Sequence, residues 1–180
     1  MAMRFLALLW SLALPVAAAP LSGSDVEAVL TVRFVRELAQ ESAAACRQHG
    51  EPGGAVAQAR LDNAWQGPLL GLGQRLDRIQ ASLPRAYLDG ALQVQRQRLH
   101  ITRSTAEELA AQSPARRKLL CDALPGGLVS IAIDPEPLLQ QRGSSSVRLL
   151  TASDDDLAEL AQRSARNLSR LTAPPPGATR

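Results

Sequence analysis

The stretch "SAAACRQHGEPGG", residues 42–54, decides how the chain is read. An alanine-rich run ends in Cys46, then His49, then Gly50 and Pro52. Glycine just past the last periodic residue, with proline beyond it, is the pattern of a helix C-terminus. Cys46 therefore sits in the last turns of a helix. "GEPGG" reads as a turn.

Working back from Cys46, Val26, Val29, Leu30, Phe34, Leu38 and Ala45 recur at three- and four-residue spacing. That periodicity is one apolar stripe on a helix. Ser24-Asp25-Val26-Glu27 fits a capping box and is expected to open it. Working forward, Leu61, Trp65, Leu69, Leu72, Leu76, Ile79 and Leu83 form a second stripe. Gly67-Pro68 lies inside it and predicts a kink or break. Leu83-Pro84 ends it. A third helix is expected from about Arg85 toward Ala111, interrupted where Ser104 and Glu107 resemble another capping box. Ser113-Pro114 opens a short fourth helix, which carries Cys121. "LVSIAI", 128–133, is the least helical segment and reads as a short strand or a buried extended run. "SVRLL", 146–150, is its expected pairing partner. "PEPLLQQR" between them reads as a one-turn helix stopped by Gly143. A last helix starts at Ser153, with Leu157, Leu160, Ala161, Leu168 and Leu171 on its core side. The expected fold is mainly α: an antiparallel bundle of about four to five helices with a small β patch between the last two.

The N-terminus reads as a leader. Arg4 precedes an apolar run from Phe5 to Leu14, and Val16-Ala17-Ala18 fits a small-x-small cleavage site. The run is short and Pro15 interrupts it, so a signal peptide, 1–18, fits better than a membrane span. The expected layout is a leader cut after Ala18, one helical domain at 19–171, and a disordered tail at 172–180. Nineteen arginines against the single Lys118, with abundant alanine, suggest a GC-rich bacterial genome and hence the periplasm.

Export sets the reading of the cysteines. Cys46 and Cys121 are the only two in the chain. An even count in an oxidising compartment predicts a disulfide. A metal site built on Cys46 and His49 lacks further ligands, since His100 is the only other histidine. A reactive thiol at Cys46 would sit at the wrong end of the helix dipole, and no C-x-x-C spacing is present.

Other chemistry is sparse. Asp154, Asp155 and Asp156 are consecutive on a helix, so they diverge and read as an acidic first turn. Asp62, Asp77 and Asp89 fall on polar helix faces. No G-x-S-x-G, P-loop or dinucleotide-binding glycine pattern occurs. The net charge is only +3. Past residue 18 the aromatics are Phe34, Trp65 and Tyr87, too few for a stacking platform. Nucleic acid is therefore not an expected partner, and neither a cofactor nor a metal is. The charge-biased region is basic: Arg96, His100 and Arg103, with Arg116, Arg117 and Lys118, form a candidate surface for an acidic partner or an anionic membrane face.

In gross outline the chain is similar to secreted all-helical enzymes such as the exported chorismate mutases: leader, helical domain, one disulfide. The likeness is one of architecture and transfers no site residue. Two functions follow as expectations. The first is a non-catalytic exported binding or accessory protein, such as an inhibitor, an immunity-type protein or an envelope assembly factor, with another envelope or secreted protein as partner. The alternative is a small helical enzyme with an arginine-lined pocket for an anionic substrate. A pocket with two or more buried arginines and a carboxylate would favour the enzyme.

Overall fold

The computed structural model describes residues 20–99, 101 and 103–172, with the side chains of 171 and 172 left aside. The expected leader, most of the expected tail and His100 lie outside the described residues.

Among the described residues, ten α-helical segments run in chain order. They are α1 (Gly23–Gln48), α2 (Pro52–Trp65), α3 (Leu70–Ala81), α4 (Arg85–Arg98) and α5 (Thr105–Ala110). Then follow α6 (Pro114–Ala123), α7 (Leu128–Ile133), α8 (Glu136–Gln141), α9 (Ser146–Thr151) and α10 (Asp154–Thr172). The expectation of four to five helices is corrected upward, because each breaker divides the chain. Gly67-Pro68 separates α2 from α3, and Ser104 starts α5 anew.

The first helix begins two residues earlier than expected. Ser22, not Ser24, is the cap. Its amide donates to Asp25 Oδ2 at 2.6 Å, and the Asp25 amide donates back to Ser22 Oγ at 3.4 Å. Aspartate does here what the sequence pattern assigned to Glu27, two residues on. At the other end Gly50 takes φ +73°, which glycine adopts without strain.

The β patch is not formed, and no described residue is in a strand. Residues 128–133 are helical: the Ile131 amide donates to the Gly127 carbonyl at 3.3 Å. Val129 and Ala132, three apart, are buried while Ile131 is exposed. A strand would have put 129, 131 and 133 on one side. Residues 146–151 are helical too, capped by Ser145, whose Oγ accepts from the Arg148 amide at 3.1 Å. A lone two-stranded pair is marginal in water, whereas a helical turn satisfies its backbone groups internally. Six-residue helices do not hold themselves together. Packing holds α7: Trp65 Nε1 donates to the Ala132 carbonyl at 3.2 Å.

The core forms around α1, which packs on α2 through α8. Leu61, Ile79, Leu139 and Leu149 are fully buried in it. Each contributes about 1.5–3 kcal/mol through burial. Cys46 and Cys121 are disulfide-bonded, Cα to Cα 5.7 Å, tying the end of α1 to α6. The expected staple is present. Gly53 and Gly54 are not turn residues but the first turn of α2, wedged beside that staple. A Cβ on Gly53 would lie 2.6 Å from the Cys121 carbonyl carbon, and one on Gly54 would lie 2.6 Å from the Arg47 amide nitrogen. Only bare backbone fits there.

Candidate functional site

Two neighbouring ionic clusters, which sequence reading passed over, are built into the interior. Arg75 is 3 % exposed. Its Nε donates to the Leu149 carbonyl at 2.9 Å, and its Nη2 donates to the carbonyls of Ala152 and, at 3.3 Å, Ser153. These are the backbone acceptors where α9 ends and α10 begins. The guanidinium is therefore spent on chain geometry. Asp154, on the solvent side, adds a 3.4 Å contact. Spacing could have flagged Arg75, because it falls on the same stripe as Leu72, Leu76 and Ile79.

The second cluster holds the start of α1. Asp25, 1 % exposed, pairs with Arg148 at 3.0 Å. Arg148 also donates to the Pro20 carbonyl at 3.1 Å, and Arg163 of α10 donates to the Leu21 carbonyl. Leu21 is fully buried. The chain is thus anchored from Pro20 onward.

The basic candidates are largely paired within the chain. Arg96 of α4 lies 3.4 Å from Glu41. Arg117 lies 3.8 Å from Glu51, and Lys118 pairs with Asp122 one turn along α6. Arg103 and Arg116 are exposed. Arg96 belongs to the α1–α4 junction, whereas Arg116, Arg117 and Lys118 lie on α6. The Arg96–Glu41 and Lys118–Asp122 pairs are exposed and worth little to stability, whereas Arg117–Glu51 is half-buried; all three lower the net positive charge offered to a partner.

Among the described residues no three His, Cys, Asp or Glu side chains converge as metal ligands would. Asp156 is a capping residue: the Ser153 amide donates to its carboxylate at 2.7 Å. That bond, with a second from the Ser153 hydroxyl, holds its carboxyl below the usual range. Asp62 accepts from Gln58 at 2.9 Å, and Asp77 and Asp89 are exposed.

Two of the concavities combine features that suit a ligand or partner. The larger, about 440 Å³, is a groove where Leu30 of α1 and Leu168 of α10 meet Tyr87, Ala91 and Val94 of α4. Helix α4 buries none of its residues fully, and Tyr87, Val94 and the adjoining Leu99 are exposed. Arg98 and Glu27 stand at the groove. Partial burial, then the nearby Glu27 charge, pushes the Tyr87 hydroxyl above its ordinary pKa.

The smaller, about 220 Å³, is a polar cleft between α1 and α3. Arg33, Arg36, Glu37 and Gln40 line one wall, and Asp77 and Gln80 the other. Arg33 pairs with Glu37. The Arg36 guanidinium lies over the Trp65 ring, 4.4 Å from its centroid. Neither arginine is fully buried, and the buried Arg75 belongs to the α9–α10 corner. Among the described residues no helix is long and apolar enough to cross a membrane. No protein family, curated protein or solved structure matches the chain.

Proposed function

We propose that the protein is an exported, periplasmic binding or accessory protein that engages another envelope or secreted protein through the surface of α4. In this reading the leader, 1–18, is removed after Ala18, and the domain spans 19–171. In the same reading α1 and α2, which are in contact and joined through residues 49–51, pair antiparallel at the base of the bundle. The observation that carries the function is the apolar face of α4. A helix with Tyr87 and Val94 exposed beside an open groove, and Leu99 exposed at its end, presents a surface that the other described residues leave uncovered. Arg85 and Arg98 on the same helix outnumber its single Asp89, while Arg96 is paired with Glu41, so the partner segment is apolar with acidic flanks. Arg103 and Arg116 extend that basic character, Arg117 and Lys118 less so, since both are paired. His100 follows α4 in sequence and would add charge on protonation.

Site-specific photocrosslinking in the native envelope tests this. A crosslinker at position 87 should give a discrete adduct, and Val94→Glu should abolish it. A crosslinker at Gln74, exposed on α3, should give none. No adduct at 87, or one insensitive to Val94→Glu, would remove the α4 surface from consideration.

A further inference from the structure

The polar cleft between α1 and α3 contains hydrogen-bond donors without acceptors. Gln80, only 6 % exposed, has its Nε2 enclosed with no acceptor among the described residues. Arg36 Nε, on the opposite wall, is in the same condition. Among the described residues no carboxylate pairs with Arg36, because Glu37 is taken by Arg33. A buried donor left unpaired carries its full desolvation cost, so an acceptor brought into such a cleft gains more than it would in water.

The shape of the donor set indicates the acceptor. Trp65 backs the Arg36 guanidinium, whose central carbon lies 4.4 Å from the ring centroid, and so restrains where it can sit. Gly73 keeps that stack uncrowded: a Cβ there would sit 3.3 Å from the Trp65 ring and 3.7 Å from Arg36 Nη1. A fixed planar fork matches a planar carboxylate better than a point charge does. The cleft also contains two negative groups, Glu37 and Asp77. Each added negative charge on a ligand meets them, so multiply charged anions are disfavoured. The volume of about 220 Å³ is below that of drug-sized sites, which restricts the ligand to a few carbons.

We propose that this cleft binds a small monocarboxylate, its oxygens on Arg36 and the Gln80 amide. The proposal is independent of the α4 surface: the cleft lies on α1 and α3, and Val94→Glu does not touch it.

The test is a titration of the purified protein with sodium butyrate, inorganic phosphate and sodium chloride, followed by calorimetry and by the NMR signals of Arg36 Nε and the Trp65 indole. Butyrate should bind saturably at one site and shift the Arg36 Nε signal. Phosphate should bind at least about tenfold more weakly, and chloride should not compete at equal concentration. Arg36→Gln should weaken butyrate binding at least about tenfold. Gln80→Leu, which keeps the volume and removes the donor, should weaken it about threefold or more. Arg166→Gln, exposed on α10, should leave it unchanged. Three results would overturn the proposal: no saturable butyrate binding, equal binding of butyrate and phosphate, or an Arg36 Nε signal unmoved at saturation. The last readout uses the unaltered protein, so it stands even if Arg36→Gln fails to fold.

Discussion

Replacing Arg75 by methionine tests the interior most sharply. Methionine has a similar reach and no donors. The change removes bonds to the carbonyls of Leu149, Ala152 and Ser153. Leu149 and Ala152 are themselves buried, so at least two acceptors are stranded away from water. Each buried unpaired group costs about 1–3 kcal/mol. Part of this is offset, because the guanidinium no longer has to be desolvated. The net expectation is a loss of about 3 kcal/mol. Asp154 provides the control. Its side chain is 86 % exposed, so its pairing with Arg75 is screened, and Asp154→Asn should cost no more than about 0.5 kcal/mol. Urea unfolding followed by far-ultraviolet circular dichroism measures both, and amide exchange should show the loss concentrated at residues 149–156. Arg75→Lys should fall between them, keeping the charge without the fork. If Asp154→Asn costs as much as Arg75→Met, the ion pair rather than the backbone clamp holds the corner, and the reasoning fails.

Other substitutions separate packing from propensity. Gly53→Ala forces a Cβ into the Cys121 backbone and should destabilise by more than about 2 kcal/mol, whereas Gly90→Ala, with open space around it, should stabilise by up to about 1 kcal/mol; thermal melts of the pair check this. The double variant Cys46→Ala/Cys121→Ala releases a cross-link between residues 75 apart and should cost about 4 kcal/mol in urea titration. The carboxyls of Glu107, Glu136 and Asp156 are held below their ordinary range, mainly by hydrogen bonds from Ser104, Ser146 and Ser153 respectively. Their stabilisation is therefore full above the unfolded carboxylate pKa and is lost as pH falls through the lowered folded values. Ser153→Ala should let the Asp156 carboxyl titrate closer to its ordinary value by NMR and flatten that part of the acid dependence.

The long elements were legible because their signals are local. The stripe from Val26 to Ala45, the Gly67-Pro68 break, the Ser104 capping box and the Ser113-Pro114 start all appear where the spacing puts them. The cysteine pairing was legible from the even count read together with the expected leader. Segments 128–133 and 146–151 were not, because six residues are too few to show a periodicity of their own. Their backbone is decided by neighbours such as Trp65. Gly53 and Gly54 looked like turn residues because a close approach to Cys121 leaves no trace in the order of residues. Arg75 and Gln80 were readable in principle: both fall on the stripe of Leu72, Leu76 and Ile79, where a polar residue needs a partner inside the fold. Arg75 finds its partners far off in sequence and Gln80 Nε2 finds none among the described residues, and a stripe can show neither.

The central claim is an exported helical domain stapled between Cys46 and Cys121. Intact mass of the protein taken from the periplasmic fraction, with and without reductant, tests it most directly. The account predicts a chain beginning at Ala19 whose mass rises by about 2 Da on reduction, the two thiol hydrogens absent from the closed bond. A chain recovered only in the cytoplasm with its leader intact, or one already carrying two free thiols before reductant is added, would contradict it.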